Sequence, residues 1–283
     1  MTGRIVSKLV TVRVDGIQTL EEGSQIYRNQ YIELKWYLLR MGRCNKWRVF
    51  TLDVFEAIYT RRSIREFDKT KKVPDWMVEK ILDAARYGPS PENVQPWRFI
   101  VIRDEESKRF LADMAQETSS GAFGMTRYEM TSDRIWYVSE EARVDVVERM
   151  FDGRLFRYPE EADVVILGCT SDHWYDMPTI PASIKEITDM AFAMAVQNMW
   201  LAATALGLGA GWDSFVCIGD ERRREMVARY FGIPRNWRPI TAFCIGWPKR
   251  ARILGPSRYP IEAIAFEEYW GRPYLRQAFR KKR

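Results

Sequence analysis

A chain of 283 residues, 46% hydrophobic and 29% charged, has the composition expected of a globular protein with one main core. Its net charge of +6 is uneven: residues 1–50 hold nine Lys/Arg against four Asp/Glu and residues 272–283 hold six against none, leaving a mildly acidic body. The basic ends read as solvated tails, because no nucleic-acid module accompanies them.

In chain order, the period-two patch Ile5 to Val14 predicts a strand and Ile26 to Met41 a helical stretch, too interrupted by charge for a membrane span or a signal peptide. Thr51 or Asp53 can cap a short helix, V-F-E-A-I-Y-T, that delivers the chain to T-R-R-S-I-R-E-F at Thr60 to Phe67. Pro74 opens a helix to Arg86 with Met77, Ile81, Leu82 and Ala85 on its core face, stopped by Gly88 and Pro89. Phe99 to Ile102 reads as a buried strand.

Residues 104–161 are charged, helical and aromatic, with Phe123, Trp136, Tyr137, Phe151 and Phe156. They suit either a substrate lid or a helical insertion filled by its own aromatics. Asp163 to Cys169 is a second buried strand by its continuous apolar run. The helix from about Ile184 to Leu206 is apolar almost all round, yet Gln197, Asn198 and Thr204 mark it as buried in protein rather than in lipid.

Cys44, Cys169, Cys217 and Cys244 lie far apart with no C-x-x-C pair, so neither a zinc site nor a disulfide framework is indicated, and a reducing, cytoplasmic compartment is expected. The lone histidine, His173, excludes a His-pair metal motif and gives a Ser-His-Asp mechanism an unpromising base. A bound organic cofactor is the remaining source of chemistry. Arg61, Arg62 and Arg65 crowd three permanent charges around the Ser63 hydroxyl, a set suited to a phosphate monoester. The turn-rich stretch G-P-S-P-E-N-V-Q-P-W-R at Gly88 to Arg98 follows, offering amides at Asn93 and Gln95.

An arginine clamp followed by P-S-x-x-N-x-Q-P-W resembles the FMN-dependent nitroreductase family. The resemblance covers the chain from about residue 53, which makes residues 1–52 an extension and 53–283 the main domain. It has three further anchors: Asp189 to Ser214 like the family's long central helix and following loop, F-C-I-G-W-P at Phe243 to Pro248 like its late strand, and Arg258 like its C-terminal phosphate contact. It implies an α+β fold: a mostly antiparallel sheet surrounded by helices, a long buried central helix, and an intertwined homodimer.

It also implies that Arg61, Arg62, Ser63, Arg65 and Arg258 grip the FMN phosphate and ribityl oxygens. Pro89, Ser90 and Asn93 would come from the neighbouring loop, across the dimer or within it. Gly207, Gly209 and Gly211 would let the backbone approach the flat ring, with Trp212, Asp213 and Ser214 flanking its reactive edge and Ser214 tuning N5. NADH or NADPH would reduce the flavin, and a small aromatic acceptor, a nitroaromatic or quinone, would then take the electrons. Trp136 and Tyr137 are the candidate acceptor contacts.

G-W-D-S at Gly211 to Ser214 looks partly like the flavin-destroying synthase of the same superfamily, whose clamp carries an aspartate where this chain has Ser63. The R-R-S-I-R clamp looks closer to the reductive deiodinase branch, without that branch's Glu-Tyr-Lys grip. A non-catalytic flavin-binding or interaction protein is the alternative from another class. No metal, nucleic acid or membrane span enters any of these readings.

Overall fold

The computed structural model describes residues 52–125, 139–171, 181–217, 221–250 and 258–274. The expected strand at Ile5 to Val14, the helix at Ile26 to Met41, and Trp136, Tyr137 and His173 lie outside these residues.

Helix α1 (Val54–Thr60) starts where Asp53 caps it, its Oδ1 accepting from the Phe55 and Glu56 N–H groups at 2.7 and 3.0 Å. Helix α2 (Asp75–Arg86) follows Pro74 and buries Met77, Ile81 and Ala85 of the expected stripe together with Val78, while the expected Leu82 is only partly buried. A 3₁₀ turn (Pro91–Asn93) leads into β1 (Trp97–Ile102). Then come α3 (Glu105–Gly124), α4 (Glu140–Phe151), α5 (Tyr158–Glu161) and β2 (Val164–Thr170). The long helix α6 (Pro181–Ala205) precedes β3 (Gly209–Asp213), α7 (Glu221–Tyr230), β4 (Arg238–Gly246) and the short α8 (Ile261–Ile264).

The four strands pair antiparallel in the order β1-β2-β4-β3. Alternation along the central strands divides the core into two layers. Val164 and Ile166 of β2 and Phe243 and Ile245 of β4 pack with α2 and α6, whereas Val165, Leu167, Ala242 and Cys244 pack with α3, α5 and α7. Helices α2 and α6 meet closely at Gly88, where a Cβ would lie 2.8 Å from the Ala195 backbone.

Two expectations change. Phe99 to Ile102 belongs to an edge strand rather than a buried one, with Val101 exposed, because only β2 flanks β1. Helix α3 is a layer of the core: Leu111, Met114 and Ala115 are buried beneath the sheet, and Phe123 and Phe156 stack with centroids 5.6 Å apart. The described aromatics of 104–161 thus fill a core rather than stand over a cleft. Among the described residues no helix is long and apolar enough to cross a membrane.

Candidate functional site: an arginine clamp on the β3 edge

Strand β3 ends the sheet, and an edge strand needs a partner or a cover for its outward N–H and C=O groups. The clamp segment supplies it. Ser63 forms a parallel bridge with Ala210, the Ile64 N–H donating to the Ala210 carbonyl at 2.9 Å. Further along, Phe67 bridges Pro248 and the Asp68 N–H donates to the Trp247 carbonyl at 2.8 Å. The glycines of β3 make this approach possible. A Cβ on Gly209 would lie 2.8 Å from the Ile64 side chain, and one on Gly211 would lie 2.6 Å from the Ile64 carbonyl and 2.9 Å from the Tyr158 ring.

The arginines emerge from this seam with little to neutralise them. Arg61, at the C-cap of α1, lies over the Trp200 ring of α6, Cζ 4.4 Å from the centroid. Burial, then the like charges of Arg258 and Arg62, push its pKa down, which brings Arg258 into one cluster with Arg61 and Arg62. Arg62 donates through Nη1 to the Tyr59 and Arg61 carbonyls, each at 2.8 Å, which fixes its fork beside the end of α1. The Nε atoms of Arg62 and Arg65 are buried with no acceptor. No ion pair to Arg61, Arg62 or Arg65 exists among the described residues. Cations gathered at one edge with buried donors left over have the chemistry to take an external anion.

Beneath the clamp, Arg65 lies over Tyr158 of α5, Cζ 5.6 Å from the ring centroid. The Tyr158 hydroxyl donates to the Trp212 carbonyl at 2.6 Å. Asp213 is buried, its Oδ1 accepting from the Phe215 N–H at 3.0 Å while Oδ2 has no partner. Burial pushes this carboxyl up to about 7, against the pull of the Phe215 N–H, Arg65 and Tyr158. Trp212 points the other way, edge-on to Phe192 of α6 with centroids 6.3 Å apart.

The sequence profile described as the Nitroreductase family matches residues 58–247, which take in the clamp, the long helix and all four strands. The chain belongs to the Nitroreductase family. As a member it is an oxidoreductase of the flavin-dependent kind. It is 30% identical over 219 residues, 76% of this chain and 90% of the other, to an NADH dehydrogenase/NAD(P)H nitroreductase of Methanothermobacter thermautotrophicus. It is 27% identical over 199 residues, 70% of this chain and 83% of the other, to a 5,6-dimethylbenzimidazole synthase of Rhodospirillum rubrum. A solved nitroreductase of Desulfovibrio desulfuricans in complex with FMN superposes with a TM-score of 0.53 at 26% identity, covering 77% of this chain and 98% of that one.

FMN fits the donor set of this family member, since a phosphate supplies the acceptors that the buried Arg62 and Arg65 Nε atoms lack. Along the β3 edge the fold brings together Arg61, Arg62, Ser63, Arg65 and Arg258 with Gly209 to Ser214. The stretch after α6, expected as a loop, is strand β3, and the spaces left by Gly209 and Gly211 are filled by Ile64 and Tyr158 of the same chain. Ser214 is half-buried and opens the turn closed by the Cys217 N–H to the Ser214 carbonyl at 2.9 Å.

The loop of Pro89, Ser90 and Asn93 leads into β1, at the opposite edge of the sheet from β3. It closes on itself: Ser90 Oγ accepts from the Gln95 N–H at 3.0 Å, and Gln95 Nε2 donates to Asn93 Oδ1 at 3.3 Å. Glu92, Asn93 and Gln95 all hold positive φ, a strained run for residues with side chains. Sequence reasoning missed Ile64, Trp200 and Tyr158. A tryptophan amid the small residues of Q-N-M-W-L-A-A was a signal for Trp200, but nothing local marked Tyr158.

Proposed function

We propose that the protein is an FMN-dependent oxidoreductase that takes reducing equivalents from NADH or NADPH and passes them to a small aromatic acceptor of the nitroaromatic or quinone type. The observation that carries this reading is the un-neutralised cluster of Arg61, Arg62 and Arg65 docked on the β3 edge. The names of the relatives, which speak of NAD(P)H, and the FMN-complexed nitroreductase support the choice of cofactor and reductant.

In this reading Arg61, Arg62, Ser63, Arg65 and Arg258 hold the phosphate and ribityl end, and Trp212, Asp213 and Ser214 border the ring, with Ser214 offering a hydroxyl near N5. The flavin supplies a reversible store for two electrons. Donor and acceptor use one pocket in turn, so no protein acid or base is required. Trp136 and Tyr137 remain the candidate acceptor contacts. Pro89, Ser90 and Asn93 complete the site from the second subunit of a homodimer. An exposed apolar face supports that dimer: Ile187, Met190 and Met194 on α6 and Val54, Phe55 and Tyr59 on α1. The extension (1–52) and a lid role for the stretch around Trp136 and Tyr137 are part of the same proposal.

The visible spectrum of the purified protein tests this, followed by anaerobic addition of NADH or NADPH and then a nitroaromatic or quinone. Flavin bands that bleach and return are expected. A colourless protein that FMN cannot reconstitute would overturn the reading. A flavin lost for good under oxygen would instead favour a flavin-consuming reaction, the second reading that the Rhodospirillum rubrum relative and G-W-D-S support.

A further inference from the structure

Two buried polar atoms without partners belong to residues that both adjoin Tyr158: Arg65, whose Cζ lies 5.6 Å from the ring centroid, and Asp213, which follows the Trp212 carbonyl that the Tyr158 hydroxyl reaches at 2.6 Å. One is Nε of the clamp arginine Arg65 and the other is Oδ2 of Asp213. The Asp213 carboxyl is held by the Phe215 N–H on Oδ1 at 3.0 Å, and the backbone beneath it is pinned twice: the Trp212 carbonyl receives the Tyr158 hydroxyl at 2.6 Å, and the Asp213 carbonyl receives Thr241 Oγ1 at 2.8 Å. Arg65 acts on both Tyr158 and Asp213 without forming an ion pair to the carboxylate. A clamp cation with a spare buried donor and a carboxyl that its own fold leaves half satisfied thus share Tyr158 as a neighbour.

We propose that Asp213 is a proton-linked counter-charge to the clamp: protonated, it leaves Arg65 to the anionic cofactor, and ionised, it draws on Arg65 and weakens the hold. The inference rests on the flavin reading above. The other titratable groups around Asp213 do not compete for this role near neutrality. Tyr158 on α5, Cys244 on β4 and Cys217 in the following turn are all pushed up by burial and stay uncharged. Lys108 of α3 acts on Cys244 and Arg224 of α7 on Cys217, one group further out. That leaves Arg65 as the charge facing Asp213, and burial sets the carboxyl to titrate at about 7, where such a linkage can be read.

The sign follows from the charges. Neutralising Arg65 with a bound phosphate removes the cation that favours the carboxylate, so FMN binding draws a proton onto Asp213, and affinity falls as pH rises through 7. The phosphate itself gains its second charge near pH 6, which strengthens binding with pH in any variant. The readout is therefore the ratio of wild-type to D213N dissociation constants, from quenching of FMN fluorescence between pH 5.5 and 8.5. The ratio is expected to rise about fivefold or more across that range. In an R65Q background, adding D213N should leave the pH profile unchanged.

Calorimetry of the wild type in two buffers of different ionisation enthalpy needs no variant to fold. At pH 7.5, where the phosphate is almost wholly dianionic, a tenfold linkage gives uptake of about half a proton per FMN. A flat ratio, or binding without proton uptake, overturns the inference and leaves the flavin reading intact. Absence of FMN binding at every pH overturns the flavin reading and the inference with it.

Discussion

Two groups of cations in this fold face opposite fates. Around the buried Asp163, Lys72 Nζ lies at 2.9 Å, Arg103 Nη1 at 3.0 Å and the Val73 N–H at 2.7 Å. Arg103 reaches on to the Val73 carbonyl at 2.9 Å and to Asp75 at 2.8 Å. Burial pushes the Asp163 carboxyl up, but Lys72, the Val73 N–H and Arg103 outweigh it and hold it below the usual range. Every charge there has an internal partner, and the cluster ties the start of α2 to β1 and β2. At the β3 edge, among the described residues, Arg61 and Arg62 meet each other, the Trp200 ring and carbonyl groups, and Arg65 the Tyr158 ring, with no ion pair to any of the three. A cluster that staples a fold supplies its own counter-ion. A cluster proposed to bind leaves that place open, at a cost in stability that a ligand would offset.

The sharpest break in this comparison is D163A, which takes the shared carboxylate from Lys72 and Arg103 and leaves the buried Val73 N–H without its acceptor. A loss of about 3 kcal/mol in urea unfolding is expected, with FMN affinity within about twofold of wild type in the folded fraction. The acid limb of stability tests the same group. Because the folded pKa of Asp163 is depressed, its contribution is complete above the unfolded value of about 3.9 and is lost as pH falls through the folded value, and D163N should flatten that limb.

At the clamp the pattern reverses. R61A or R62A should weaken FMN about 30-fold, the equivalent of one charged hydrogen bond of about 2 kcal/mol. The apo-protein melting temperature should stay unchanged or rise as like charges are removed. Riboflavin, which lacks the phosphate, should bind wild type and R61A alike; a wild-type preference for FMN no greater than the variant's would break the phosphate assignment.

Smaller effects probe how the clamp is seated. G211A places a methyl group 2.6 Å from the Ile64 carbonyl and should cost about 1–3 kcal/mol of stability. It should also loosen FMN binding, because the segment carrying Ser63 must move. W200F keeps a ring beneath Arg61 but a poorer one, so a two- to fivefold rise in the FMN dissociation constant is expected, about 0.5–1 kcal/mol. An unchanged constant would show that the Trp200 contact is packing alone.

Much of the fold was legible along the chain because its signals are local. The Asp53 cap, the stripe of Met77, Ile81 and Ala85, the apolar run of β2 and the long α6 each depend on residues within a turn or a strand of one another. The crowding of three guanidinium groups around a hydroxyl was legible for the same reason, since Arg61, Arg62, Ser63 and Arg65 lie within five residues of one another. What needed tertiary structure was decided by residues distant in sequence. Gly209 and Gly211 after a helix read as a loop until Ile64 was seen to occupy the space their missing side chains leave, making that stretch the strand which carries the clamp. Helix α3 read as part of either a lid or an insertion with its own small core, and only the sheet above Leu111 and Met114 made it part of the main core. Asp213 carried no mark of burial in G-W-D-S. Its side-chain direction is set by strand alternation against β4 and by Tyr158 arriving from below, and such geometry is written in the packing of three segments rather than in any one of them.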